Sequence, residues 1–241
     1  MKLTDFKALT FDCYGTLIDW ESGIINGLAP LTSRVAEPLS RDQILEAHAR
    51  HESTQQRWTP GYRYSDILTI VYKRLAEQWQ VTATPDACVR YGQSVADWPA
   101  FEDAAESLAY LKQHYQLVIL SNVDNRSFAG SQKKLKVAFD AIYTAEDIGS
   151  YKPSDRNFEY MLEHLSMRGI QREDVLHTAE SMFHDHATAN KHQLSSCWIY
   201  RRHEQQGYGA TMDPGIAPDY RFCYHSLADL VAAHKAEIAN T

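Results

Sequence analysis

Five short apolar, β-prone runs recur along the chain, and four of them stop abruptly at polar residues. This recurrence constrains the fold more than any other feature. Ala8-Leu9-Thr10-Phe11 ends at Asp12, Leu117-Val118-Ile119-Leu120 at Ser121 and Asn122, and Val175-Leu176-His177-Thr178-Ala179 at Glu180. Ser196-Cys197-Trp198-Ile199-Tyr200 ends at Arg201 and Arg202, and a weaker run is Ala141-Ile142-Tyr143-Thr144. Continuous apolar runs of this length are the signature of strands buried on both faces. Between them apolar residues fall at helical spacing: Ala105, Leu108 and Leu111; Phe158, Met161, Leu162 and Leu165; Leu227, Leu230, Val231 and Ala233. Strands alternating with helices predict an α/β fold, a doubly wound parallel sheet of Rossmann-like type. In such a sheet ligands lie beyond the carboxyl ends of the strands. Asp12, Ser121, Asn122 and Glu180 then share one edge.

The stretch from about Asp19 to Trp98 breaks the alternation. It holds helical patterns at Gly23–Leu31, Asp42–His51, Tyr64–Trp79 and Pro85–Ala96, with no buried strand. The expected division is a core of residues 1–18 and 99–241 and an all-helical cap of residues 19–98, inserted directly after the first strand. Gly207–Pro218 is rich in glycine and proline and reads as a surface loop.

Charge narrows the partners. Twenty-four Lys and Arg against 31 Asp and Glu leave a net charge of −7, so no overall basic field draws nucleic acid or anionic membrane. No apolar stretch approaches the roughly 18 residues of a membrane span, and the first residues lack a signal-peptide core. Cys13, Cys88, Cys197 and Cys223 form no CxxC pair and read as reduced thiols. A cytoplasmic protein acting on a small molecule is the expectation.

Phe11-Asp12-Cys13-Tyr14-Gly15-Thr16-Leu17 carries the strongest chemical signal. A carboxylate at a strand end, followed by a turn whose amides face the same space, suits a nucleophile. An aspartate capping a turn would look the same in isolation. The convergence of other polar strand ends on this edge favours chemistry.

DxYGTL, then an apolar run with LSN, then Tyr151-Lys152-Pro153, then an acidic segment ending in Asp185 resemble the four ordered signatures of the haloacid dehalogenase superfamily. The closest likeness is to the type II 2-haloacid dehalogenases. AES-x-x-HDH and the WIYRR run also resemble a related hydrolase that opens L-azetidine-2-carboxylate. The resemblance implies a cofactor-independent hydrolase in which Asp12 displaces the C2 substituent of a small 2-substituted carboxylate. Water then cleaves the aspartyl ester to a 2-hydroxy acid. It implies that Lys152 lowers the Asp12 pKa, that Thr16 supports Asp12, and that Ser121 and Asn122 hold the substrate carboxylate or departing group. Arg50, with Arg57 behind it, is the candidate cap arginine. Relatives of this branch are often dimers, so a homodimer is expected on resemblance alone.

Two departures bear on the substrate. Tyr14 stands where superfamily phosphatases carry a second aspartate as general acid, and a phenol does not replace a carboxylic acid there. Halide departure needs no proton. Glu180 replaces the serine of the dehalogenase pattern, so Glu180 and Asp185 together resemble the magnesium ligands of a phosphatase. With Tyr14 present they are expected instead to orient Lys152 and activate water, with His184 or His186 sharing that task. A magnesium-dependent phosphatase is the alternative enzyme, and a non-catalytic binding protein on the same fold is the alternative class.

Overall fold

A computed structural model describes residues 1–240. In chain order its elements are β1 (Ala8–Phe11), α1 (Trp20–Thr32), α2 (Arg41–Trp58), α3 (Tyr64–Gln78), α4 (Pro85–Gln93), α5 (Ala104–Leu111), β2 (Gln116–Ser121) and α6 (Asn125–Leu135). There follow β3 (Ala141–Thr144), α7 (Ala145–Ile148), α8 (Asp155–Ser166), β4 (Val175–Ala179), α9 (Ala187–Lys191), β5 (Ser195–Ile199), β6 (Phe222–Tyr224) and α10 (Leu227–Ala239). The strands form one sheet in the order β3-β2-β1-β4-β5-β6, every pair parallel. The α/β class and the parallel sheet stand. β6 is an addition: three partly exposed residues at the sheet edge carry too little apolar signal to read as a strand.

Register places the chemistry. Phe11 is level with Ile119 of β2 and Thr178 of β4, so Asp12, Asn122 and Glu180 leave adjacent strands at the same edge. Asp12 N–H still donates to the Thr178 carbonyl (3.1 Å), which extends β1 by one bond to the first chemical residue.

Between β1 and α5 the chain is helical. It leaves the sheet beside the point of its return: Ile18 bridges Ala100 antiparallel, and Asp19 N–H donates to the Pro99 carbonyl (2.8 Å). α2 begins with a capping box in which Ser40 Oγ accepts from Gln43 N–H while the Gln43 side chain accepts from Ser40 N–H. It runs to Trp58, seven residues past the expected end at His51. Apolar periodicity fails over that last half because its inward face is polar, burying Glu52, Ser53, Gln55 and Gln56. A helix face that lines a site departs from the apolar stripe a core would demand.

Several ties join the helical segment to the sheet. Arg202 Nη1 donates to both Glu21 carboxylate oxygens (2.6 Å each), Tyr151 OH to the Tyr62 carbonyl (2.6 Å), and Ser65 N–H to Asp124 Oδ2 (3.0 Å). All four cysteines are free thiols, three of them buried. Among the described residues no helix is long and apolar enough to cross a membrane.

Candidate active site

The turn after β1 is built from backbone. Leu17 and Ile18 N–H both donate to the Cys13 carbonyl, and Gly15 N–H donates to that of Ile18. Gly15 sits at φ +97°, where a Cβ would also come within 3.0 Å of the Trp20 indole nitrogen; only glycine fits both demands. Arg201, stacked over Phe101, donates two bonds to the Thr16 carbonyl and locks the turn from outside.

Within that turn Asp12 is buried and fully engaged. Oδ2 accepts from Thr16 Oγ1 (2.8 Å), and Oδ1 from Lys152 Nζ (2.8 Å). Lys152, 1% exposed, spends its other two protons on Asp185 Oδ1 (2.7 Å) and the Leu120 carbonyl (3.0 Å). Burial works against its charge, but the two carboxylates more than offset this and raise its pKa. Burial likewise lifts Asp12 above the ordinary carboxyl range. The Lys152 ammonium pulls it back only in part, and Asp185 pushes it up again. Lys152 does lower the Asp12 pKa, as expected, but desolvation outweighs this one shared cation and the net direction is upward. Asp185 would also be raised by burial, but Lys152 and His177 hold it well below the usual range. The negative charge of the trio settles first on Asp185.

Behind Asp185 lies a link that sequence reasoning missed. His177 Nε2 meets Asp185 Oδ1 (2.9 Å) and its Nδ1 meets Thr10 Oγ1 (2.9 Å); all three are buried, His177 in β4, Thr10 in β1 and Asp185 in the helical turn that follows β4. An ionised Asp185 only accepts, which assigns the proton to Nε2. The single available signal was a histidine inside an otherwise apolar strand.

A small cavity of about 20 Å³, room for about one water, lies over Asp12. Of the expected residues it is lined by Asp12, Tyr14, Asn122, Lys152, His184 and Asp185; Trp20, Glu52, Gln56 and Tyr64 close it from the helical side. Tyr14 turns its hydroxyl to Ser131 Oγ (2.7 Å) and its ring edge to Trp98. Asn122 serves differently from expectation: its amide bonds both the N–H and the carbonyl of Lys152 (2.7 and 3.0 Å) and so positions the lysine. His184, which burial lowers to about 4, is neutral and shares its Nδ1 with Ser181 and Thr211.

Four expected residues lie elsewhere. Arg50 is exposed on the outer face of α2, away from the cavity; the helical phase that points Glu52 and Gln56 inward points it out. Ser121 Oγ is buried without a hydrogen-bond partner and does not line the cavity. Glu180 gives its N–H to Thr16 Oγ1 (2.9 Å), but its carboxyl faces neighbouring cavities with Arg202; burial and then Glu21 push it up to about 8. It does not contact Lys152; Asp185 alone does. His186 is packed between the Ala179 carbonyl and Ser196.

These placements also decide how the acids suit a divalent cation. Among the described residues no group of three His, Cys, Asp or Glu is gathered to hold one. Asp185 Oδ1 is already occupied by an ammonium and an imidazole, and Glu180 does not line the cavity over Asp12 but lies with Arg202 in the neighbouring cavities. The donor set does not fit magnesium.

Five buried groups dictate a pH signature. Burial lowers His48 to about 3 and His184 and His186 to about 4, so they bind fewer protons folded than unfolded up to 6.5, and stability rises with pH through that window. Burial raises Glu52 to about 7 and Glu180 to about 8. They bind more protons folded than unfolded above 4.5, so stability falls as pH rises to those values. The histidine contribution keeps rising until the unfolded-chain imidazoles are deprotonated, about one unit above 6.5, and offsets roughly half of the carboxyl loss. Thermal melts are expected to lose about 1 kcal/mol between pH 6.5 and 8, and Glu180→Gln to remove that loss. A wild-type profile flat over this range would mean that Glu180 is ionised in the folded protein.

Comparison with known proteins gives three results. Residues 6–178 match the family model of haloacid dehalogenase-like hydrolases. (S)-2-haloacid dehalogenase 4A of Burkholderia cepacia is 27% identical over 224 residues, 90% of this chain and 87% of that protein. The L-2-haloacid dehalogenase of Xanthobacter autotrophicus, solved with chloropropionic acid covalently bound, shares 17% identity at a TM-score of 0.74, covering 95% of this chain and 98% of that one. At that identity the structural likeness is one of fold.

Proposed function

The chain belongs to the haloacid dehalogenase-like hydrolases, and from this premise we propose that it displaces the C2 substituent of a small 2-substituted carboxylic acid through an ester on Asp12. The curated relative named for (S)-2-haloacids makes a 2-haloacid the first substrate to test. One observation carries the reading. Asp12 sits at the floor of the cavity, oriented by Lys152 and Thr16, while the position two residues on holds Tyr14 with its hydroxyl turned away to Ser131. A nucleophile is in place, and the second aspartate of a phosphatase is not.

Ionised Asp12 attacks C2 from the side opposite the leaving group, held rigid by two hydrogen bonds. Water then attacks the ester carbon. Asp185 Oδ2, buried without a partner, and neutral His184 are the acceptors that orient it. With room for one water, the cavity admits a substrate only when the cap helices part from the sheet edge. An adjoining cavity of about 480 Å³ shares Gln56 and Lys152 with the site and carries the exposed Arg57 and Arg156. These charges draw a carboxylate toward the entrance, a role for Arg57 at the approach rather than at the reacting atoms.

The test is a single turnover in heavy-oxygen water with enzyme in excess over L-2-chloropropionate or L-azetidine-2-carboxylate. The heavy isotope is expected in the Asp12 peptide and not in the first-cycle product, whose new oxygen comes from Asp12. Label found only in the product would refute an ester at Asp12.

A further inference from the structure

The cavity has an unusual lining for the departure of an anion. Among the described residues no arginine borders it, and all three protons of Lys152 are committed to Asp12, Asp185 and Leu120. What the cap presents across from Asp12 is a carboxyl group. Glu52, 4% exposed on the inward face of α2, receives Tyr64 OH (2.6 Å) and Gln56 Nε2 (3.3 Å), both on Oε1. Its Oε2 faces His48 Nδ1 at 3.8 Å, too far for a hydrogen bond. His48 is wholly buried, packs edge-on to Tyr91, and has no partner for either ring nitrogen.

We propose that Glu52 is the acid that carries the proton of the leaving group when the C2 substituent is a basic nitrogen in a strained small ring, the leaving group already implied by the resemblance to the hydrolase of L-azetidine-2-carboxylate. This deepens the reading of Asp12 as the nucleophile and rests on it. Burial raises Glu52 to about 7, against the pull of the Tyr64 hydroxyl, so a neutral acid is populated near neutrality, where a general acid is most effective. The groups facing it are His48 on its own helix, Tyr64 and Gln56 beside it, and Asp12, Lys152 and His184 across the cavity. Among the described residues its only basic neighbour within ion-pair distance is His48, lowered to about 3 by burial, so none of them supplies a cation that holds Glu52 ionised.

In the step, Asp12 Oδ forms a bond to C2, the C2–N bond breaks, and its electron pair stays on nitrogen, which keeps the proton held between it and Glu52. That proton has one bound position whether the substrate arrives as free amine facing the acid or as ammonium facing the carboxylate; the two are tautomers. Hydrolysis of the ester consumes one water, returns Asp12 as carboxylate, and releases one proton to Glu52. Ring strain is required because an unstrained amine leaves poorly even when protonated. The 3.8 Å gap to His48 Nδ1 allows a small movement to bring its N–H onto Glu52 when the carboxylate forms.

The full-length protein and its Glu52→Gln and Glu52→Asp variants are to be assayed with L-azetidine-2-carboxylate and with L-2-chloropropionate, with rapid quenching and mass spectrometry of the Asp12 peptide. Glutamine reproduces the shape of the neutral acid, so folding is expected to survive; Glu52→Asp keeps an acid and guards against failure of that variant. Expected are at least about a 100-fold loss of kcat for ring opening in Glu52→Gln, KM changed by less than about tenfold, no ester accumulating from the ring substrate, and partial recovery in Glu52→Asp. Ring opening within about tenfold of wild type in Glu52→Gln overturns the role of Glu52. A wild-type protein that forms an Asp12 ester from chloropropionate but never from the ring overturns the substrate class while sparing Asp12. No ester from either substrate overturns the nucleophile itself.

Discussion

Asp12→Asn is expected to abolish turnover, with kcat reduced by at least about 10⁴-fold, the scale on which hydrolases lose activity without their nucleophile. The amide keeps the shape of the carboxylate: with its oxygen toward Lys152 it still accepts that bond, and its NH2 then meets the Thr16 hydroxyl, which can rotate to accept; in wild type the two residues hold different oxygens of Asp12 at 2.8 Å each. What it lacks is the charge that, in the proposed reaction, attacks C2. Because burial already raises Asp12 and the negative charge of the trio settles first on Asp185, folding has little to lose, and the melting temperature is expected to shift by only a few degrees. Product formation and mass spectrometry of the Asp12 peptide check both parts. Residual turnover within about tenfold of wild type, with the sequence of the variant verified, would mean that another group attacks the substrate. Loss of activity through unfolding would instead appear in the melt.

Lys152→Met carries the largest expected cost in stability. It removes the cation between Asp12 and Asp185 and leaves the Leu120 carbonyl without this donor. Breaking a buried ion pair from one side typically costs about 3–5 kcal/mol, because the charge left behind has nowhere to go. The pH dependence separates this cause from lost packing. With the ammonium gone, both carboxyls titrate upward, so the folded variant binds more protons than the unfolded chain above the usual carboxyl range. Its stability therefore recovers as pH falls and worsens as pH rises. Urea unfolding at pH 5 and pH 8 reads the difference: the deficit relative to wild type is expected to shrink at pH 5. An equal deficit at both would assign the loss to the missing side-chain volume. Turnover is expected to vanish at either pH, since Asp12 then lacks both its orienting bond and the charge that favours its ionised form.

The residues that bear on these two experiments were legible at different depths. Asp12 can be named from the chain because a β-run stops there at a carboxylate. Lys152, Thr16 and Asp185 follow only from the resemblance, from their places in its ordered signatures. Asn122 was found as a site residue, but its task was not, because the carbonyl and N–H of Lys152 that it grips lie thirty residues further on. Arg50 is a candidate by residue type and Glu180 by its place at a strand end, and neither lines the cavity over Asp12.

Sequence alone determined the α/β class, the five longer strands and the edge on which the chemistry stands, since a strand buried on both faces must be an unbroken apolar run and its end must be where polarity resumes. Tertiary structure alone decided three things: that α2 continues far enough to bring Glu52 to the cavity over Asp12, that His177 stands behind Asp185, and that burial of Asp12 outweighs the lowering by Lys152. These depend on which distant segments meet and how much water they exclude. Desolvation and charge pairing belong to the assembled site, and no stretch of chain carries them by itself.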